Sequence, residues 1–458
     1  MPLYRTRLLL CALVFAGALP PLPAQPFSLS DSGPEAPDFR KRLLGDYGVR
    51  SAIEPEVDEE GRRVYREVAS AIRDAPARAL REVRAAVRPD SGPALHFLLG
   101  ALRYQTGRTS AAERSLNRAV EAFPDFRRAH RLLGLIRIRQ KRFEAAVDAW
   151  LKVITLGGGD AQSYGLLGYA YLSLERYASA LRAYEMARMF RPDSTDFRRG
   201  EAQCLLETGQ TRRAIALFDE LIAEDPEQSA YWRAQANAHV RLEDYASALT
   251  NLEILLTLDE LEPRDRRLLA DLHMRAGNGS LAADHYLAAL DASDTVDTDE
   301  ALRPVPHLIQ RGLLAEADRY LDRLKSKTDA DTEKGAANRI ALAEARIAKR
   351  RGDRAAAIKL LKPVAEAAPM DGEVLLLLGR LYRETEDYES AAMWLERAQA
   401  ASGVEAEARI ALGRLEVARG NFEAALEHLR AAQRQTDRAG LEAYIESVET
   451  AREQGGDT

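Results

Sequence analysis

Apolar residues recur along this chain at spacings of three and four, in stretches divided by short polar breaks, which is the pattern of amphipathic helices. Within it a small residue returns on a fixed beat. Gly100, Gly134, Gly168, Ala202, Ala236 and Ala270 follow one another at one constant interval, the first of them behind apolar pairs such as Leu98 and Leu99. Twelve residues further on come Ala112, Ala146, Ala180, Ala214, Ala248 and Ala282, and four beyond those Leu116, Trp150, Tyr184, Phe218, Leu252 and Tyr286. The frame returns with Ala345, Gly379 and Gly413, then Ala357, Ala391 and Ala425, then Leu361, Leu395 and Leu429. Such a beat predicts helical hairpins: the alanine and the large residue four later share one helical face, and small residues let the two backbones approach where the helices cross. Gly107, Gly209, Gly277, Gly352 and Gly420 fall between the two helices, suited to left-handed caps, and Pro124, Pro192, Pro226 and Pro369 follow the second helix and stop it. Strand signals are lacking throughout.

This arrangement resembles the tetratricopeptide repeat, whose signature of Leu-Gly, Tyr, Ala, aromatic, Ala and Pro reads here as Leu167, Gly168, Tyr171, Ala180, Tyr184, Ala187 and Pro192. The unit from Ser229 departs from it, with Gln235 and Ala236 for Leu-Gly and Glu260 for the proline. Nine units match, beginning at Pro93, Arg127, Ala161, Thr195, Ser229, Pro263, Asn338, Gly372 and Ala406. The resemblance implies an all-α fold, a right-handed superhelical solenoid of antiparallel helix pairs. The expected organisation is a signal peptide over 1–24, a polar, Pro-containing leader over 25–60, a degenerate capping repeat over 61–92 and six tandem units over 93–296. A degenerate repeat with an insertion follows over 297–337, where Pro304 and Pro306 interrupt a first helix, and reads as a joint. Three units over 338–437 and a capping helix with a tail over 438–458 complete the chain.

The first segment is read apart from the fold. Arg5 and Arg7 precede an apolar run from Leu8 to Leu19, then Pro20 and Pro21, with Ala24 among the candidate cleavage residues. A bilayer span needs about 20 apolar residues, so export with cleavage is expected, leaving no transmembrane segment and a periplasmic or extracellular protein. Cleavage after Ala24 removes Arg5 and Arg7 and no acid, taking the formal net charge from −6 to −8. It also removes Cys11 and leaves Cys204 alone among apolar neighbours, which reads as a buried, inert thiol.

Composition narrows the function. With 65 basic against 71 acidic residues, nucleic acid is not an expected partner, and the charged fraction of 30% excludes a polytopic membrane protein. Repeats and caps occupy nearly everything after about residue 60, leaving no room for a catalytic domain. No catalytic residue, metal or cofactor is expected. His239 and His273 are equivalent in adjacent repeats, but no third ligand accompanies them, so framework histidines are the plainer reading. Gly157, Gly158 and Gly159 follow no strand and read as an inter-repeat turn rather than a phosphate loop.

Members of the resembled family line a concave groove with positions 2, 5, 9, 12 and 13 of each first helix. Carried onto the six N-terminal units, the stripe holds Arg128, Arg131, Arg139, Arg199, Arg233, Arg241, Arg264, Arg267 and Arg275 against Asp196, Glu207 and Asp271. Phe97, Tyr104 and Tyr169 add aromatic surface, and Arg233 with Asn237 resembles the first pair of the family's two-carboxylate clamp, although Leu268 replaces its second asparagine. Two readings stay open. The arginines form a groove for carboxylates or phosphates, or an Arg-rich composition collects them on solvated faces where glutamates of neighbouring helices pair them. The function expected is a non-enzymatic interaction scaffold of the cell envelope that holds an extended peptide or a partner's helix, an acidic one under the first reading. The alternatives are a spacer or assembly factor working through its convex surface or ends, and a regulatory subunit of an envelope enzyme or polysaccharide-export complex. Partner identity and oligomeric state are not written in the chain.

Overall fold

A computed structural model of the chain describes residues 53–455 apart from 294, 329–334 and 437. The expected signal peptide, most of the leader and most of the polar insertion therefore lie outside the described residues. Among those described the structure is helical, without a strand, and divides into two compact units, one through Glu260 and one from Leu261.

In the first unit the helices come in consecutive pairs: Pro93–Gln105 with Thr109–Ala122, Arg127–Arg139 with Phe143–Val153, Ala161–Ser173 with Tyr177–Phe190, Thr195–Glu207 with Thr211–Glu224, and Ser229–Arg241 with Tyr245–Thr257. Each pair packs against the next, and each first helix starts at the residue where the sequence repeat begins. The beat of small residues has a direct cause. A methyl group added to Gly100 would lie 2.8 Å from Leu116, and one added to Gly134 would lie 2.7 Å from Trp150. The small position thus sits beneath the large side chain of the second helix, rather than facing only the alanine one turn before it. At 3.3 Å from the added methyl, the Ala112 carbonyl marks how close the backbones run. Ahead of these pairs stand Glu59–Asp74 and Pro76–Ala86, whose Val64, Val68, Ile72, Leu80 and Val83 bury against Leu95, Leu98 and Leu102.

The second unit repeats the hairpin with Pro263–Ala276 and Gly279–Asp291, and later with Ala336–Arg350 and Arg354–Ala367, Gly372–Glu384 and Tyr388–Ala400, and Glu405–Ala418 and Phe422–Gln433. Leu441–Gly455 then lays Leu441, Ile445 and Val448 over Ile410, Leu426 and Leu429. Between the first and second hairpins the first helix is split into Thr298–Leu302 and Pro304–Gln310, followed by Leu314–Lys327. Both prolines stand in the first turn of the Pro304–Gln310 helix, where no intrahelical N–H is needed. This segment, expected as a joint, lies inside one compact unit. Leu290, Val305, Leu308, Leu321, Leu324 and Ile340 belong to one buried cluster that ties it to the helices before and after. No helix among the described residues is long and apolar enough to cross a membrane.

Candidate functional site

The first helices place one face of side chains in the same register in every repeat, and on it lie the arginines singled out above. Their surroundings differ residue by residue. Arg128 donates from Nε to Glu54 at 2.8 Å, and its guanidinium lies 5.4 Å from the Phe97 ring and 5.9 Å from the Phe126 ring. Next to it the backbone N–H of Arg127 donates to the Ile53 carbonyl at 3.2 Å. The end of the leader therefore lies along the start of the Arg127–Arg139 helix, with a main-chain hydrogen bond and an ion pair between them.

Arg131 donates to Asp160 at 2.9 Å and to the Gly158 carbonyl at 3.2 Å. Burial pushes the Asp160 carboxyl up, but Arg131 and the N–H and hydroxyl of Ser163 outweigh it and hold the group below its ordinary value. The glycine run that precedes Asp160 forms a wide turn over Ile154–Gly158, with Gly157 at φ 76°. There the Gly158 carbonyl accepts from Arg131 and from the Ser163 hydroxyl, so the turn serves these side chains as an acceptor.

Arg139 lies 5.2 Å over the ring of Tyr104, which is only 3% exposed, and Tyr169 meets Phe143 edge to face at 5.9 Å. Arg199 pairs with Asp196 at 3.1 Å, and Arg241 with Glu207 at 3.1 Å and with the Leu206 carbonyl at 2.7 Å. Arg233 donates to the Glu260 carbonyl at 2.8 Å, while Asn237 is half-buried. In the second unit Arg267 pairs with Glu300 at 3.1 Å, and Arg264 and Arg275 are exposed. Asp271, the remaining acid of the stripe, accepts from the Tyr286 hydroxyl, and burial pushes its carboxyl up. Most of the arginines thus meet carboxylates or carbonyls of the chain itself, and Leu268 at the clamp position is buried.

Elsewhere the candidate chemistry resolves into packing. His239 lies 3.0 Å from Asp244, while His273 stacks on His285 within one hairpin, the ring centroids 5.3 Å apart. Among the described residues no group of three or more His, Cys, Asp or Glu side chains is gathered to hold a metal. Cys204 is buried, and burial, followed by Glu201 and Glu207, pushes its thiol up to about 12, so no thiolate forms at neutral pH. Glu54 is the residue that sequence reasoning missed. It sits among other acids next to Pro55, and nothing local distinguishes it as the partner of a side chain two repeats further along the chain.

A helix-hairpin array on a recurring beat, interrupted at one degenerate unit, with a polar face along its first helices, defines a repeat protein of the interaction type. Models of the tetratricopeptide repeat match residues 171–238, and also 97–161, 233–296 and 342–406. Together they span more than half of the sequence, and the chain belongs to the tetratricopeptide repeat family. Human protein O-mannosyl-transferase TMTC1 is 25% identical over 131 residues, which is 29% of this chain and 14% of that protein. Superkiller protein 3 of Schizosaccharomyces pombe is 26% identical over 113 residues, 25% of this chain and 8% of its own length. The chain thus matches a small part of either curated relative. Among solved structures, YrrB, described as a TPR protein with an unusual peptide-binding site, is 18% identical with a TM-score of 0.37, over 42% of this chain and 95% of that one. The Naa15/Naa10 complex bound to HypK-THB is 15% identical with a TM-score of 0.41, over 86% and 66%.

Proposed function

We propose that this chain is a non-enzymatic scaffold of the cell envelope that holds an extended, acidic peptide or a partner's helix in the groove formed by the first helices of its N-terminal repeats. Export through residues 1–24 would place it in the periplasm or outside the cell. Family membership supports protein binding in general, since stacked helix-pair repeats present a long surface. The observation that carries the acidic reading is the Ile53–Glu54 contact. One acidic segment of the chain already lies on the first-helix face, the Ile53 carbonyl on the Arg127 N–H and the Glu54 carboxylate on Arg128. The likeness to an O-mannosyl-transferase covers 14% of that protein.

A labelled peptide copying residues 53–60 tests the reading on the full chain. It should bind a Glu54→Ala chain more tightly than the parent, because the resident carboxylate no longer competes. Adding Arg128→Gln should remove that gain, and rising salt should weaken binding as screening shortens below about 10 Å. Equal binding with and without Arg128 would move the function to another surface. The second helices offer one: Met189 is 76% and Phe190 54% exposed, which favours the spacer or assembly-factor alternative.

A further inference from the structure

The second unit carries a run of arginines whose surroundings differ from those of the N-terminal stripe. Arg346, Arg380 and Arg414 occupy the same register position on three successive first helices. The first is closed by an ion pair with Glu373, which stands at the start of the next first helix. One repeat on, Glu407 takes the place of Glu373, yet among the described residues it makes no ion pair with Arg380. One further on, Leu441 stands where the acid would be. The acids that would close the ladder thus fade along the array.

Around Arg380 the charge is one-sided. Arg383 lies one turn along the same helix as Arg380, the touching Glu405–Ala418 helix brings Arg414 within electrostatic reach, and Arg438 joins them from the turn before the last helix. At Arg380, Glu407 opposes these three. The Arg383 Nε is buried without a hydrogen-bond partner among the described residues. Arg414 is exposed, its guanidinium 5.5 Å from the Tyr444 ring, which steadies a cation while leaving its N–H groups to face outward.

We propose that this face of the second unit binds an acidic peptide segment, with Arg380, Arg383 and Arg414 receiving its carboxylates. Clustered like charges are unfavourable without a counter-charge, and half-buried arginines with unspent donors gain most from a bidentate carboxylate. The burial of Arg380, followed by Arg438, Arg414 and Arg383, pushes its guanidinium below the ordinary arginine value against the pull of Glu407. The spacing selects a chain over a single ion. Packed helices stand about 8–10 Å apart, and same-face side chains of an extended strand about 7 Å apart, so acids two residues apart reach toward successive arginines. This deepens the protein-binding reading and rests on it, but uses none of the residues that hold Glu54.

The test is fluorescence anisotropy of a labelled oligoglutamate peptide on the full chain. Binding should weaken about tenfold in Arg380→Gln and in Arg414→Gln, and the exposed position of Arg414 keeps the second variant informative if the first unfolds. Arg128→Gln should leave this binding unchanged. Loss in Arg128→Gln alone would overturn the second site while leaving the protein-binding reading in place. Unaltered binding in both C-terminal variants, or no binding to the parent, would overturn the proposal. So would displacement by inorganic phosphate at concentrations no higher than those of the peptide, because the site would then serve a small anion.

Discussion

At the residue scale the turns inside the hairpins show how much one backbone angle costs. Gly107 and Gly209 sit at φ 77° and 78°, the left-handed region that a side chain disfavours. The same register position is Lys141, Glu175 and Glu243 in the other units of this array, at φ 57°, 57° and 59°. Those residues adopt the conformation against a steric cost of about 1 kcal/mol, because the hairpin leaves the chain no other way to turn. Lys141→Gly, Glu175→Gly and Glu243→Gly should each stabilise the protein by about 0.5 kcal/mol, the relief being partly offset by the extra freedom of glycine in the unfolded chain. Urea denaturation measures it, and a series that destabilises would contradict the strain account. The caps were legible as glycines, but their charged equivalents were not, since nothing in Lys141 or Glu175 itself announces a positive φ. Glu54 and Arg128 were hidden for a different reason. A carboxylate and a guanidinium so far apart in the chain become partners only when the repeats stack.

At the scale of the element, the hairpin is specified by volumes. Ala180 is fully buried, and in the same pair Gly168 would bring an added methyl to 3.1 Å from the Tyr184 ring. Ala180→Leu adds three carbons at this crossing and should cost about 1–3 kcal/mol. Ala178→Leu, the same change at an exposed site on the same helix, should lie within about 0.5 kcal/mol of the parent. Thermal melting of the two variants decides it, and equal midpoints would sink the packing account. Helix starts were legible to within a residue or two, because the small residues and breakers report the crossing and the ends. The split first helix was less so. Pro304 and Pro306 signalled an interruption, whereas in the structure they begin a short helix whose Val305 and Leu308 remain in the buried cluster.

On the scale of the whole molecule, export is the reading that governs where any partner is met. The tagged protein recovered from its host should begin at Gln25 by N-terminal sequencing, with the apolar run removed; recovery with Met1 intact would place the scaffold on the other side of the membrane. The partition of the chain came from packing. The compact units divide between Glu260 and Leu261, inside a stretch where the repeat beat continues without a slip, while the degenerate segment is held within one unit by its buried side chains. By itself the sequence determined the class of fold, the hairpin as its unit and the register of the first-helix face, because those follow from periodicity and side-chain volume, which are local and repeat. Only the tertiary structure decided which arginines are already paired, that a piece of the leader lies on the face, and that Arg380 and Arg414 stand together with little opposing charge. Pairing depends on distance across the stack, and distance across a stack is not a property of any window of sequence.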